Sequence, residues 1–141
     1  MSKNILKLSN QVCFPLYAAT RQITKLYRPM LEKLEVTYPQ YLVLLVLFED
    51  VSVTVKELGE RLYLDSGTLT PMLKRMEEHG LVERKRSSKD ERVVEVSLTE
   101  KGRSIEKKAE EIPNRFSKEI HLEQDEFDEL KRLLTKILDQ V

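Results

Sequence analysis

The spacing of apolar residues changes at Gly80, from steps of three and four residues to steps of two. Before this glycine, helical spacing places the apolar residues at Leu69, Met72, Leu73 and Met76. After it, two alternating runs flank the polar residues 87–91. That pattern predicts a β-hairpin over about residues 82–98, directly following a helix.

Capping signals predict two short helices before the hairpin. Thr54 and Glu57 match the capping-box pattern, so we expect a helix over about residues 55–62. Asp65 and Ser66 offer caps for the next helix, expected over about 66–79 and ended by Gly80. Pro71 breaks the local rule about one turn inside this second helix, which points to a functional site or to a distorted start with equal weight.

Helical patterns flank the central region on both sides. Residues 9–34 predict a long first helix with Ser9 as its cap and a bend at Pro15. A second helix is expected over about residues 39–48. Beyond Thr99 a helical region continues, which we expect to break around Pro113. It ends in an apolar stripe of Phe127, Leu130, Leu134, Ile137, Leu138 and Val141.

Charge and composition argue against several classes of protein. The formal net charge is zero, but basic residues cluster within 84–92, and a phosphate backbone responds to a local patch. No apolar run is long enough to span a bilayer, and the N-terminus lacks the apolar stretch of a signal peptide, so we expect a cytoplasmic protein without membrane contact. One cysteine, two isolated histidines and the absence of a phosphate loop predict no metal, no cofactor and no enzyme.

A helix, a tight turn, a second helix and a charged hairpin follow the order of a winged helix-turn-helix. The predicted fold is mainly α with a small β-hairpin wing. An α-helix fits the major groove of DNA with its N-terminal residues at the base edges, and a cationic hairpin tip suits a narrow minor groove. We expect DNA contacts from Asp65, Ser66, Thr68, Thr70, Lys74 and Arg75, and in the hairpin from Arg84, Arg86, Lys89, Asp90 and Arg92.

Several motifs resemble the MarR family of bacterial regulators. They are LDSGTLTPMLKRME at residues 64–77, DER at 90–92 and SLTE at 97–100. Within that family, QVCF at 11–14 and TYPQY at 37–41 are similar to the organic hydroperoxide resistance repressors of the one-cysteine type. The resemblance runs from about residue 9 to residue 112.

The resemblance implies a homodimer that straddles a pseudo-palindromic operator in double-stranded DNA. Residues 1–36 and 100–141 would form the dimerisation helices, and residues 37–99 the DNA-binding lobe. Asp90 would orient the wing, and Arg92 would enter the minor groove. Apolar stripes at both ends of the chain support a dimer independently, because they would be exposed on an isolated lobe.

Cys13 stands near the start of the first helix, where aligned peptide dipoles favour an anion. By position alone a lone cysteine is more often a small buried apolar residue. The resemblance implies instead that Cys13 is a peroxide sensor whose sulfur accepts hydrogen bonds from Tyr27 and Tyr38 of the partner subunit. Oxidation by an organic hydroperoxide would then release the repressor from DNA.

The residues leave open the fate of the oxidised sulfur and three other functions. Without a second cysteine, oxidised Cys13 would react with a small external thiol or a backbone nitrogen, or oxidise further. A phenolic or aromatic ligand between the dimerisation helices and the lobes could replace oxidation as the signal. A thiol peroxidase using Cys13 is a weaker alternative, since it would need a resolving thiol or a reductase. The third alternative is a structural interaction protein, in which the basic hairpin has no role in DNA binding.

Overall fold

The computed structural model describes residues 2–141, with side chains described from residue 4 onward. It divides into two compact units, which within the described residues are 2–111 and 112–141. The boundaries that we predicted by role, at 36/37 and 99/100, stay predictions, and residue 1 lies outside the described residues. No helix within residues 2–141 has the length and apolar composition needed to cross a membrane.

The element order is that of a winged helix-turn-helix with flanking helices. The helices and strands are α1 (Ser2–Ile5), a 3-10 turn (Leu8–Asn10), α2 (Cys13–Lys33), α3 (Tyr38–Glu49), β1 (Val53–Thr54), α4 (Val55–Leu62), α5 (Ser66–Glu78), β2 (Val82–Arg86), β3 (Val94–Leu98), α6 (Glu100–Ala109), α7 (Glu111–Glu119) and α8 (Gln124–Leu138). The predicted fold class and the three predicted central helices are confirmed.

Helix α3 forms the centre of the core of the first unit. Thr37 caps it in a full capping box, with Gln40 N donating to the Thr37 hydroxyl at 3.3 Å and Gln40 Oε1 accepting from Thr37 N at 3.0 Å. The helix carries apolar side chains around most of its circumference, as expected for a helix largely enclosed by its neighbours, and Leu45 is its exposed apolar side chain. Its fully buried side chains are Val43, Leu44 and Leu47.

The turn between α4 and α5 is tight because Gly59 has no side chain. A Cβ at Gly59 would lie 2.6 Å from the carbonyl oxygen of Leu64. Tyr63 ends α4 in the left-handed conformation, with φ of 57°. At the start of α4, Glu57 N donates to the Thr54 hydroxyl at 3.0 Å, so the structure shows the Thr54 half of the predicted capping box.

The wing is a hairpin joined by one additional strand. Strands β2 and β3 pair antiparallel with Val82 opposite Leu98 and Arg84 opposite Val96. The sheet order is β1-β3-β2, with Val53 opposite Val96. The predicted hairpin is confirmed, but β1 was not predicted, because a strand of two residues carries no alternating pattern.

The first long helix begins later than predicted. Ser9 lies in the 3-10 turn, and α2 starts at Cys13 with Val12 as its cap residue. Pro15 is therefore the third residue of α2, where its missing N–H has no carbonyl to bond within the helix. The expectation of a cost or a bend at Pro15 assumed that it lies beyond the first turn, and the later start of α2 removes that reason. Pro29 lies inside α2, four residues before its end.

The C-terminal helical region breaks twice. One break is at Glu110, between α6 and α7, so that Pro113 becomes the third residue of α7. The other separates α7 from α8, which begins with a capping box between Glu123 and Glu126. Within the second unit, the rings of Phe116 and Phe127 lie 6.0 Å apart between centroids. The exposed apolar side chains of α8 and its end are Leu130, Leu133, Ile137, Leu138 and Val141.

Candidate DNA interface and redox site

Helix α5 has one buried face and one polar face. Its start is fixed by Asp65, whose Oδ1 accepts from Thr68 N at 2.7 Å. The buried side chains are Leu69, Met72, Leu73 and Met76. All the predicted contact residues after the cap are exposed, at Ser66, Thr68, Thr70, Lys74 and Arg75. The helix also continues through Pro71 as far as Glu78.

The C-terminal end of α5 is anchored to α6. Lys101 Nζ donates to the carbonyl oxygen of His79 at 2.9 Å, and the Thr99 hydroxyl donates to the carbonyl oxygen of Gly80. Gly80 has a φ of 75°, as expected for the glycine that ends a helix. A Cβ at Gly102 would lie 2.2 Å from the carbonyl oxygen of Leu81, so α6 meets this loop at backbone contact.

The tip of the wing presents Arg92. Asp90 Oδ1 accepts from Arg92 N at 3.0 Å and from Arg92 Nε at 3.3 Å. The side chain of Arg92 is nonetheless 91% exposed. Arg86 Nη1 donates to the carbonyl oxygen of Glu91 at 2.7 Å, which holds the turn from the other strand, and Lys89 is exposed beside it. Asp90 thus shapes the turn that displays the Arg92 guanidinium, which suits the orienting role that the resemblance implies.

Arg84 is held differently from the other wing cations. Its Nη2 donates to Glu77 Oε1 at 3.0 Å, and its backbone N–H donates to Glu77 Oε2 at 3.1 Å. These hydrogen bonds hold the pKa of Glu77 below its usual value. The pair ties β2 to α5, a role that the sequence did not reveal. A DNA contact by Arg84 stays a prediction.

We expect Arg92→Ala to weaken operator binding by about 1–3 kcal/mol, because it removes an exposed cation that we predict to enter the minor groove. Fluorescence anisotropy at fixed salt concentration would measure the loss. Lys85→Ala is the matched control, since Lys85 is an exposed cation of β2 outside the predicted contact set. Equal affinities of Arg92→Ala and the wild-type protein would remove the wing tip from DNA recognition.

Cys13 is the first residue of α2 and is exposed. The segment before it is held in place by side chains that donate to backbone carbonyls. Gln11 Nε2 donates to the carbonyl oxygens of Ile5 at 2.6 Å and Lys7 at 2.9 Å, and Asn10 Nδ2 donates to that of Asn4 at 2.7 Å. The thiol therefore stands accessible at the start of a helix, preceded by an ordered turn.

Three tyrosines form a cluster where α2 meets α3. Ring centroids are 5.3 Å apart for Tyr27 and Tyr38, 6.3 Å for Tyr27 and Tyr41, and 6.0 Å for Tyr38 and Tyr41. Burial and the neighbouring phenols Tyr38 and Tyr41 raise the pKa of Tyr27 to about 12. Burial likewise raises the pKa of Tyr38 and, with a contribution from Tyr38, that of Tyr41. All three phenols therefore keep their protons, and remain donors, near neutral pH.

The structure brings Tyr27 and Tyr38 together but separates them from the Cys13 of their own chain. Cys13 and Tyr27 are fourteen residues apart on one continuous helix, which is about 21 Å at ~1.5 Å per residue. The phenol of Tyr27 cannot reach the sulfur over that distance. A site with both groups requires a second copy of the chain. Tyr41 was missed by the sequence reasoning, although it follows Tyr38 by three residues on the same helix.

The raised pKa of Tyr27 predicts a pH dependence of stability. Its folded-state pKa of about 12 exceeds the ordinary value of 10.0. The contribution of protonated Tyr27 to the free energy of unfolding is therefore fully present below pH 10. It is lost as pH rises toward 12, because the unfolded chain releases this proton at lower pH than the folded one. We expect the free energy of unfolding to fall more steeply over this range in wild type than in Tyr27→Phe. Urea unfolding at a series of pH values would measure both slopes. Equal slopes would show that the cluster does not perturb Tyr27.

A family profile and a close relative identify the chain. The profile described as transcriptional regulator SarA/Rot matches residues 25–112. The organic hydroperoxide resistance transcriptional regulator of Bacillus subtilis (strain 168) is 56% identical over 128 residues, which cover 91% of this chain and 85% of the relative.

Solved structures give the same assignment. Reduced AbfR bound to DNA is 36% identical with a TM-score of 0.82, covering 99% of this chain and 96% of that one. AbfR is a protein of Staphylococcus epidermidis that has also been solved overoxidised on DNA and in a disulfide form. A cysteine-to-serine variant of MarR from Escherichia coli with operator DNA is 30% identical, with a TM-score of 0.78 and coverage of 90% and 93%.

The resemblance inferred from the sequence motifs is therefore confirmed. Relatives that match over nearly the whole chain are transcriptional regulators, and their structures share its winged helix. The chain belongs to the SarA/Rot family of MarR-like winged-helix transcriptional regulators and is closely related to an organic hydroperoxide resistance regulator.

Proposed function

We propose that this protein is a DNA-binding repressor that organic hydroperoxide releases from its operator by oxidising Cys13. The observation that carries the proposal is the exposed thiol of Cys13 at the first position of α2. A thiolate is the reactive form, and a helix start favours an anion. The relative with 56% identity is named for organic hydroperoxide resistance, which agrees with this chemistry.

Binding to DNA would use two copies of α5, one from each subunit. A homodimer with two-fold symmetry places one recognition helix in each half-site of a pseudo-palindromic operator in double-stranded DNA. The exposed face of α5 would meet the major groove, and Arg92 would meet the adjacent minor groove. Such a regulator would work in the cytoplasm, where the chromosome lies.

The peroxide-sensing site would be formed by residues from two subunits. Since Tyr27 lies about 21 Å along α2 from the Cys13 of its own chain, its phenol can approach only the sulfur of the partner. Phenolic donors stabilise a thiolate by hydrogen bonding. We therefore assign Tyr27 and Tyr38 to the Cys13 of the partner subunit.

The reaction is stoichiometric. The Cys13 thiolate attacks the terminal peroxide oxygen, the O–O bond breaks, and a sulfenic acid and an alcohol form after proton transfer. A small external thiol can then displace water to give a mixed disulfide, since the chain has no second cysteine. Repeated turnover would need a reductant for each cycle, so we assign the protein a signalling role and not that of a peroxidase.

Oxidation would act on DNA through the dimer. Oxygen or a bound thiol on Cys13 cannot accept the tyrosine hydrogen bonds in the same geometry, and it needs additional volume beside the cluster. Displacement of Tyr38 moves the start of α3, which lies in the core of the DNA-binding lobe. The two recognition helices then lose the spacing that the operator requires.

One observation favours the second candidate, a repressor released by a phenolic or aromatic ligand. A cavity of about 370 Å³ lies between α2 and α3, beside the tyrosine cluster. Leu31, Val36 and Tyr38 line it together with Arg28 and Glu32, so an aromatic ring would find apolar partners there and a phenolic hydroxyl would find polar ones. A ligand in this cavity would act on the same end of α3.

A DNA-binding titration separates the two candidates. The protein's own upstream region serves as the probe, with reduced protein, with protein treated with cumene hydroperoxide and a small thiol, and with protein given salicylate as a phenolic ligand. We expect release by the hydroperoxide and recovery after reduction of the mixed disulfide. Release by salicylate alone, with no response to hydroperoxide, would favour the ligand-controlled repressor.

A further inference from the structure

Arg61 bridges the last turn of α4 to the end of α3. Its Nη1 donates to Asp50 Oδ2 and its Nη2 to Glu49 Oε2, both at 2.6 Å. Glu49 is the last residue of α3, and Asp50 is its C-terminal cap residue. One guanidinium thus binds two neighbouring carboxylates, an arrangement that suits the planar fork of arginine and not the point charge of lysine.

The same end of α3 is also held from α6. Arg103 Nη2 donates to the carbonyl oxygen of Leu47 at 3.3 Å, and Arg103 Nη1 donates to that of Phe48 at 3.4 Å. These are carbonyls of the last helical turn, which have no N–H donor within the helix. The end of α3 is therefore tied by hydrogen bonds to both α4 and α6.

The opposite end of α3 carries Tyr38. From Tyr38 to Glu49 the helix spans about 17 Å at ~1.5 Å per residue. Its buried side chains lie within the core, and close-packed interiors transmit a displacement instead of absorbing it. A shift of the tyrosine end would therefore reach Glu49 and Asp50 at the other end of the helix.

The bridge lies next to the turn that aims the recognition helix. Arg61 comes two residues before Tyr63, the left-handed residue that ends α4. Gly59, two residues earlier on α4, is pressed against the carbonyl of Leu64, so the turn leaves little freedom between α4 and α5. When α4 is displaced through Arg61, α5 follows.

We propose that Arg61 is a positioning residue that transmits displacement of Tyr38 to recognition helix α5, through its bridge to Glu49 and Asp50. The inference rests on the proposed function, since the displacement is the one produced by oxidation of Cys13. Without the bridge, a shift of α3 reaches α4 and α5 only through their direct packing against α3, so oxidation displaces α5 less.

The bridge contributes to coupling more than to stability. Exposed ion pairs add little to the free energy of unfolding, and the Arg61 side chain is 41% exposed. Arg61→Gln should therefore fold. A two-site coupling of typical size changes affinity about 5- to 150-fold, and the bridge carries part of it.

The test measures operator Kd for reduced and for cumene hydroperoxide-treated protein, in wild type and variants. In Arg61→Gln we expect the ratio of oxidised to reduced Kd to fall to less than about half of the wild-type ratio and to stay above unity, since the bridge carries part of the coupling. Mass spectrometry should show the same extent of Cys13 oxidation as in wild type. Glu49→Gln with Asp50→Asn, which removes the carboxylates and keeps Arg61, should give the same result.

Arg132→Gln is the matched control, because it removes another exposed arginine–carboxylate pair, with Glu129 at 2.6 Å on α8. Its Kd ratio should equal that of wild type, and Arg61→Lys should be intermediate. A wild-type ratio in both bridge variants, in an assay where wild type is released, would overturn the role of Arg61. If wild type itself stays bound after oxidation, the failure belongs to the proposed function.

Discussion

Cys13→Ser is expected to bind the operator like the reduced wild type and to stay bound after organic hydroperoxide. Serine keeps the size and the hydrogen-bonding capacity of the side chain but loses the sulfur that the peroxide oxidises. In wild type the same treatment should weaken binding by about 5- to 150-fold, the usual range of coupling between two sites. The substitution therefore removes the response and leaves the affinity.

Anisotropy titrations of both proteins with one operator, before and after cumene hydroperoxide, would measure this difference. Tyr27→Phe and Tyr38→Phe provide graded controls, because each loses a phenolic donor and keeps the ring. They should bind DNA normally and respond more slowly. A Cys13→Ser variant that is released as readily as wild type would place the sensor elsewhere.

Removal of residues 127–141 is expected to abolish the dimer or to cause aggregation. This deletion takes away most of α8, whose exposed apolar side chains are Leu130, Leu133, Ile137 and Leu138. A monomeric protein rarely exposes a contiguous apolar stripe of this kind, so we expect a second copy of the chain to bury it. Affinity for a full palindrome would fall steeply, because each monomer would hold one half-site.

Sedimentation equilibrium and operator titration of the shortened chain would test this expectation. Lys131→Ala with Lys136→Ala is a suitable control, since it changes the polar face of α8 and keeps the apolar stripe. A folded monomer that binds the full palindrome with wild-type affinity would contradict the role of α8 in the dimer.

The central fold was predictable because its signals are local. The Asp65 cap, the αL glycine at Gly80 and the alternation after it each act within a few residues, and all three appear in the structure. The start of α2 was not predictable in the same way. The turn before Cys13 depends on Gln11 reaching back to Ile5, a contact that leaves no periodic pattern.

The exposed face of α5 followed from the sequence, because the buried positions of an amphipathic helix define the opposite face. Contacts between different helices and strands could not be predicted from the sequence. Arg84 pairs with Glu77, and Arg61 pairs with Glu49, each across two different elements. The charge pattern of the sequence alone offers each of these arginines several equally suitable carboxylates. The membership of Tyr41 in the tyrosine cluster likewise depends on how α2 packs against α3.

Release by oxidation of Cys13 is tested most directly by measuring oxidation and DNA release in the same samples. Cumene hydroperoxide is added stepwise with a small thiol present, intact-mass spectrometry gives the modified fraction of Cys13, and anisotropy gives the bound fraction of operator. We predict that release rises together with modification of Cys13, and that reduction of the mixed disulfide restores binding. Release with Cys13 unmodified, or full modification with the operator still bound, would contradict the account.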